Sequence, residues 1–268
     1  MHSVTHPQAA QLLWTGGWDS TFRVLQLLLI EQRVVQPYYV LDRLKRRPAV
    51  PAERQAMSRI RELLEKQYPD ASPRLRPTVE CAYADISANA QITNAFEQCL
   101  TFGFVGGQYE WLARFCAERE IGDMELSIHR DDKARELIAD LVDASRTKLD
   151  DAFAKDPRYK VFHYFHFPLF DTTKEQMRAD ARGAGFEELM HLTWFCHRPI
   201  KGEACGVCNP CIYTIEEGLG DRVPAAGQRR YRFRIMPRLR HALARHTGVY
   251  LAARSVYRSL RGARSSSG

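Results

Sequence analysis

Apolar residues in this chain recur alternately at strand and helix spacing, so the pattern predicts strands and helices in turn. Gln11-Leu-Leu-Trp14 is a short apolar run before a glycine pair, the pattern of a buried strand. Ser20 is a good N-cap, and Phe22, Leu25, Leu28 and Leu29 follow at helical spacing. Val34 to Leu41 is β-branched and aromatic and ends at Asp42, which predicts a second strand. The basic, proline-containing residues 43–52 predict a loop, Glu53 to Tyr68 a helix and Thr78 to Tyr83 a third strand. Residues 88–119 read as mostly helical, with interruptions at Gly103 and Gly106-Gly107. Met124 to Ile128 predicts a short strand, and residues 132–154 a helix with Leu137, Leu141 and Ala144 on one side. The aromatic, alternating segment Tyr159 to Phe165 predicts another strand, and Thr173 to Ala184 a helix stopped by Gly185.

Strands that alternate with helices predict an α/β fold: a parallel five-stranded, Rossmann-like sheet with helices on both faces. Ligands of such sheets bind beyond the carboxyl ends of the strands. That edge would collect Asp42, residues His129 to Asp132 and the Gly16-Gly17 loop.

Composition changes the picture in two places. The chain has 268 residues, 45% of them hydrophobic, enough for a substantial core. The apolar run Val24 to Ile30 is too short to span a bilayer, and nothing in the first thirty residues reads as a signal peptide, so a cytoplasmic protein is expected. The net charge of +7 is unevenly placed. Residues 221–268 hold twelve arginines, no lysine and one acid, Asp221, for +11, whereas the remainder holds 27 basic and 31 acidic residues, for −4. Leu239, Leu243 and His246 share helical spacing in this extension, as do Val249, Ala253, Val256 and Leu260. Amphipathic helices with arginine-rich faces bind nucleic acid, an anionic lipid surface or an acidic protein partner, or dock as a cap on the acidic main body.

Candidate chemistry lies in two motifs. Thr15-Gly16-Gly17-Trp18-Asp19-Ser20-Thr21 joins the first strand to the first helix. Gly16 and Gly17 allow a tight bend with bare N–H groups, and the helix N-terminus adds its positive dipole end. With the hydroxyls of Thr15, Ser20 and Thr21 this makes a phosphate cradle. Asp19 beside an anion would orient backbone groups or help hold Mg²⁺. No Gly-Lys-Ser/Thr follows, so this is not a Walker A loop. Of seven cysteines, Cys81, Cys99 and Cys116 are scattered in apolar surroundings, as suits a reducing compartment. Cys196, Cys205, Cys208 and Cys211 stand at metal-ligand spacing. Four thiolates around Zn²⁺ form a closed structural site, and an iron–sulfur cluster is the rival occupant of such a set.

The glycine loop resembles the Ser-Gly-Gly-x-Asp-Ser signature of the PP-loop ATP pyrophosphatases, with Thr15 in place of the serine. The stretch Phe167-Pro-Leu-Phe-Asp171-Thr-Thr-Lys174, then Leu192-Thr-Trp194-Phe-Cys196 and Cys205-Gly-Val-Cys208-Asn-Pro-Cys211, resembles the 7-cyano-7-deazaguanine synthases, the QueC branch of that family. The resemblance covers residues 11–42 and 161–216. It implies a PP-loop domain over residues 1–195, a four-cysteine zinc segment over 196–220 and an added basic extension over 221–268. It also implies an ATP-dependent carbon–nitrogen ligase that adenylates 7-carboxy-7-deazaguanine or a related deazapurine carboxylate, releases pyrophosphate and admits ammonia or another amine. Thr15, Gly16, Gly17, Asp19, Ser20, Thr21 and Asp42 would hold ATP with Mg²⁺, and Asp19, Lys174 and Arg130 would serve catalysis. The family's Gly-Tyr-Pro-Asp-Cys-like substrate motif is replaced by Leu126-Ser-Ile-His129-Arg130-Asp131-Asp132-Lys133, and an Arg-Asn segment by Gly106-Gly-Gln108-Tyr109. The substrate pocket is therefore rebuilt, with His129, Arg130, Asp131 and Gln108 as its candidates. Two further readings stay open: a tRNA-modifying PP-loop enzyme, and a defence-system relative that joins a deazapurine to a protein amine. The resemblance suggests a homodimer.

Overall fold

The computed structural model describes residues 9–41, 48–103 and 105–233. Asp42 and the extension beyond residue 233 lie outside the described residues. Five parallel strands form one sheet in the order β3-β2-β1-β4-β5: β1 (Ala10–Leu13), β2 (Val35–Leu41), β3 (Val79–Ala82), β4 (Met124–Glu125) and β5 (Phe165–His166). Leu13 stands opposite Tyr38 and Leu12 opposite Glu125, so β1 lies at the centre, where the strand order reverses direction.

The period-two pattern of the strands explains why helices cover both faces. Leu12, Trp14, Tyr39 and Leu41 pack on one side with α1 (Trp18–Leu25), α2 (Val50–Gln67), α7 (Lys174–Gly183) and α8 (Glu187–His191), through Phe22, Ile60, Leu64, Met177 and Phe186. Leu13, Val40 and Cys81 pack on the other with α3 (Ala90–Cys99), α4 (Gln108–Glu118), α5 (Lys133–Ile138) and α6 (Pro157–Phe162). The sheet is thus sandwiched as the sequence predicts. One charged pair crosses the first core. Arg23 of α1 reaches Glu125 of β4 at 2.6 Å and 3.0 Å, both side chains being buried. Burial opposes the charge on Arg23, but Glu125 and Glu31 outweigh it and hold its pKa above the ordinary arginine value.

Some expected boundaries shift: α1 starts at Trp18 with Gly17 rather than Ser20 as its cap, because the Gly16-Gly17 bend itself opens the helix, and β4 ends at Glu125 rather than Ile128. Two further elements differ in length or kind. Helix α5 stops at Ile138 instead of running to 154. The Asp143 carboxylate accepts from the Ser145 hydroxyl at 2.8 Å and from the Thr147 N–H at 3.3 Å, and Arg146 turns to φ 58°. These local bonds compete with the helix and fold the segment back, so that Val142 bridges Leu149. Residues 157–162 form helix α6 rather than a strand, and β5 starts only at Phe165. Asp156 caps the Arg158 N–H and Pro157 occupies the first turn, a start signal that outweighs the aromatic alternation. Among the described residues no helix is long and apolar enough to cross a membrane.

Candidate active site

The glycine loop lies at the carboxyl end of β1, beside the point where the strand order reverses. Gly16 adopts φ +70°, and a Cβ there would stand 2.9 Å from the Glu53 carbonyl oxygen, so the bend requires glycine. Gly17 is extended at φ −78°, ψ 170° and N-caps α1 without a side chain, which leaves the first N–H groups of the helix facing outward. Ser20 Oγ stands 3.5 Å from the Thr15 N–H. Thr21 is fully buried, and its hydroxyl accepts the Trp14 indole N–H at 2.9 Å, so it braces the loop from behind.

Two cavities meet at this loop and share Thr15, Gly17, Asp19 and His197. The larger, about 620 Å³, spreads over the ends of β1, β2 and β4, walled by Tyr38, Tyr109, Trp111 and Leu126, with Gln108 and Asp132 also in its lining. Its size and its mixture of apolar walls and few polar groups suit a small-molecule site. The smaller, about 290 Å³, is lined by Trp18, Lys174, Trp194, Thr214 and Arg222.

The smaller cavity brings two cations, Lys174 and Arg222, together with two carboxylates, Asp19 and Glu53. Thr173 closes a capping box with Gln176, which places Lys174 at the first position of α7. Lys174 Nζ donates to Glu217 at 2.6 Å and lies 3.9 Å from Asp19 Oδ1. Burial disfavours its charge, but Asp19 and Glu217 more than compensate and hold its pKa above the usual lysine value. Arg222 stacks over the Trp18 ring at 4.7 Å and the Phe195 ring at 5.0 Å, and donates to the Thr193 carbonyl at 2.7 Å. Burial lowers its pKa to about 10, the charges of Asp221 and Asp19 opposing the shift. Two buried polar atoms here make no hydrogen bond: the Trp18 indole N–H, and Asp19 Oδ1, whose nearest cationic group is Lys174 Nζ at 3.9 Å. An unmatched donor beside two cations fits an anion, and an unmatched carboxylate oxygen fits a cation that accompanies it.

The loop after β4 contributes unevenly. His129 is buried, its Nδ1 accepts the Asp131 N–H at 3.3 Å, and its Nε2 faces Asp19 Oδ1 at 4.0 Å. Arg130 and Asp131 are exposed and line neither cavity. Asp132 lines the larger one, and burial raises its pKa. The structure therefore gathers Thr15, Gly17, Asp19, Ser20, Gln108 and Lys174 at the cavities and leaves Arg130 and Asp131 outside.

The cysteine group has the size of one ion. The four Sγ atoms lie within 4.8 Å of one another, with Cys205–Cys211 at 3.8 Å, Cys196–Cys208 at 3.9 Å and Cys208–Cys211 at 3.4 Å. A tetrahedral ion with bonds of about 2.3 Å sets its ligand sulfurs about 3.8 Å apart. A four-iron cube separates them by roughly 6 Å. Backbone N–H groups of Cys205, Val207 and Cys208 point at the sulfurs of Cys196 and Cys205 over 3.2–3.4 Å. The donor set fits a single thiolate-bound metal ion. The segment is bolted to the glycine loop, since the Trp194 N–H donates to the Gly16 carbonyl at 2.8 Å and the Trp194 indole to the Cys196 carbonyl at 2.8 Å. On its far side, Arg230 of the helical stretch 225–233 donates to the Cys205 carbonyl at 2.8 Å.

Sequence reasoning missed Trp18, Glu217 and Arg222. A tryptophan inside a tight glycine loop is a signal that could have been used. Arg222 is the first of twelve arginines in the extension, and nothing in the sequence separates it from the rest.

No protein-family model matches the chain, and no curated protein matches it. Among solved structures it is similar to the U34-tRNA thiolase NcsA from Methanococcus maripaludis with its 4Fe-4S cluster, at 12% identity and a TM-score of 0.40, over 84% of this chain and 70% of that one.

Proposed function

We propose that the chain is a QueC-like PP-loop ATP pyrophosphatase that adenylates a deazapurine carboxylate and passes the acyl group to ammonia or another amine. The observation that carries this reading is the anion pocket at the N-terminus of α1, where Lys174, Arg222 and the unpaired Trp18 indole N–H converge. Two cations, the helix N–H groups and the orphan donor supply contacts for a pyrophosphate, and Mg²⁺ would supply the remaining positive charge. The larger cavity, walled by Tyr38, Tyr109 and Trp111, has the flat apolar surfaces that planar heterocycles need.

The chemistry follows from the arrangement. A carboxylate oxygen of the acid attacks the α-phosphorus of ATP, and the bond to the β-phosphate bridging oxygen breaks. Lys174, Arg222 and the α1 N-terminus stabilise the charge that collects on the departing pyrophosphate. The neutral amine then attacks the acyl carbon, the bond to the AMP oxygen breaks with AMP taking the electron pair, and the nitrogen releases a proton to water. Asp19 would help hold Mg²⁺, which supplies charge neutralisation across the phosphates. Zn²⁺ is assigned to Cys196, Cys205, Cys208 and Cys211 as a structural ion. His129, 4.0 Å from Asp19, is assigned to orient that carboxylate. A nucleic-acid or protein acceptor would be recruited by the arginine-rich extension, whose residues 221–268 carry +11.

Against a sulfur-carrying, tRNA-thiolating variant, no cysteine among the described residues lines either cavity. Burial pushes the Cys99 thiol up to about 11 and the Cys116 thiol up to about 12. The test is pyrophosphate release from ATP–Mg²⁺ with 7-carboxy-7-deazaguanine, with and without ammonia or tRNA. Acid-dependent release supports the reading, and release that needs tRNA and ignores the acid overturns it in favour of RNA modification.

A further inference from the structure

The hairpin between Cys196 and Cys205 carries none of the residues assigned to the phosphates or to Mg²⁺. Its base is closed where the Cys205 N–H donates to Cys196 Sγ at 3.2 Å. Its tip is the two-residue turn Lys201-Gly202, with φ 53° and 79°, bracketed by reciprocal Ile200–Glu203 hydrogen bonds of 3.0 and 3.1 Å. Positive φ at both central positions is the geometry of a tight, well-defined hairpin. Pro199 fixes one φ in the outgoing arm and so stiffens it. The two residues directly after Cys196, His197 and Arg198, line the larger cavity.

The charge balance of that cavity gives Arg198 its role. The described lining contains two carboxylates, Asp19 and Asp132, and Arg198 is its sole lysine or arginine. The carboxylate of an organic acid that leaves water for this cavity needs a cation where it sits. Among the described residues no carboxylate pairs with the Arg198 guanidinium. Lys174 and Arg222 belong to the smaller cavity, where the phosphates would lie. The planar fork of an arginine matches both oxygens of a carboxylate, which a lysine does not.

We propose that Arg198, held at the cavity lip by the cysteine-closed hairpin, binds the carboxylate of the acid substrate and determines selection for anionic substrates. This rests on the acid-activating reading above. It also gives the metal segment a part in substrate recognition, because the ligand Cys196 stands two residues from the guanidinium that reads the substrate.

The experiment uses the full chain with ATP–Mg²⁺ and 7-carboxy-7-deazaguanine, and compares wild type, Arg198→Ala and Arg198→Lys by initial rates of pyrophosphate release. Loss of a bidentate charge-assisted contact predicts a KM for the acid raised about 10- to 100-fold in Arg198→Ala. The KM for ATP stays within about twofold, a split that general damage to the site does not produce. Arg198→Lys recovers part of the loss. The side chain is exposed, so melting temperatures should match. An unchanged KM for the acid, or an equal rise in the KM for ATP, overturns the assignment while the acid-activating reading stands. No release by the wild type overturns both.

Discussion

Replacing either of the two loop glycines by alanine separates folding from anion binding. At Gly16 the backbone is left-handed at φ +70°, and a new Cβ would stand 2.9 Å from the Glu53 carbonyl oxygen and 3.1 Å from Met57 Cγ. The backbone term is about 1–2 kcal/mol. The clash with the first turn of α2 adds about 1–3 kcal/mol, because a helix carbonyl cannot yield without its helix. Gly16→Ala should therefore lose roughly 2–5 kcal/mol, a fall of about 5–15 °C in a chain of this size. At Gly17 the backbone is ordinary, and the new methyl meets only Thr15 Oγ1 at 3.2 Å and the Trp194 carbonyl at 3.8 Å. Its stability should stay within about 1 kcal/mol of wild type. The methyl nevertheless stands in the lining of both cavities, beside the open N-terminus of α1. Gly17→Ala should bind pyrophosphate with Mg²⁺ about tenfold or more weakly, a loss of about 1.4 kcal/mol or more. Scanning calorimetry and titration calorimetry read the two effects. Equal melting temperatures for Gly16→Ala and wild type, or undiminished pyrophosphate binding by Gly17→Ala, would refute the reasoning.

Arg222→Met keeps much of the contact with Trp18 but removes the charge and the donor to the buried Thr193 carbonyl, so pyrophosphate affinity by titration calorimetry should fall about 10- to 100-fold and stability should drop by about 1–3 kcal/mol. Metal analysis should find one ion per chain, without the visible absorbance of an iron–sulfur cluster, and Cys205→Ser should lose the ion and melt lower. Asp171, bound by Arg135 at 2.7 Å and Arg146 at 2.6 Å, has its pKa held down to about 2 by hydrogen bonds from Arg146 and then Arg135. A depressed carboxyl contributes stability that is complete above its unfolded pKa of about 3.9 and is lost as pH falls through its folded value. Asp171→Asn should thus cost about 0.5–1 kcal/mol at pH 7, discounted for the exposure of the pair, and almost nothing near pH 2, measured by denaturant titration at both pH values.

The sheet was legible because its central strands carry both cores on alternating residues. Leu12 and Trp14 face one core and Leu13 the other, a pattern that needs no tertiary information to read. The segment 139–164 was misread because Asp143 and Asp156 exert local control over the backbone that periodicity ignores. The glycine loop and the cysteine group were legible because each is contiguous in sequence and chemically specific. The smaller cavity was not, since it is assembled from α1, α7 and the residues after α9 (Asn209–Thr214), and only the fold brings Trp18, Lys174 and Arg222 together. Arg130 and Asp131 were drawn in by their neighbours in the sequence, yet the polypeptide turns at His129 and leaves them exposed while Asp132 enters the cavity.

On the proposed function, the loop at Gly16-Gly17 holds the pyrophosphate released when an acid attacks ATP. Exchange of radiolabelled pyrophosphate into ATP tests it most directly, because exchange requires a reversible adenylate. Label should enter ATP only when the carboxylate substrate is present, and should be lost in Lys174→Met and Arg222→Met. Cleavage of ATP to ADP and orthophosphate, or exchange indifferent to the acid and to both substitutions, would rule out an acid adenylate at this loop.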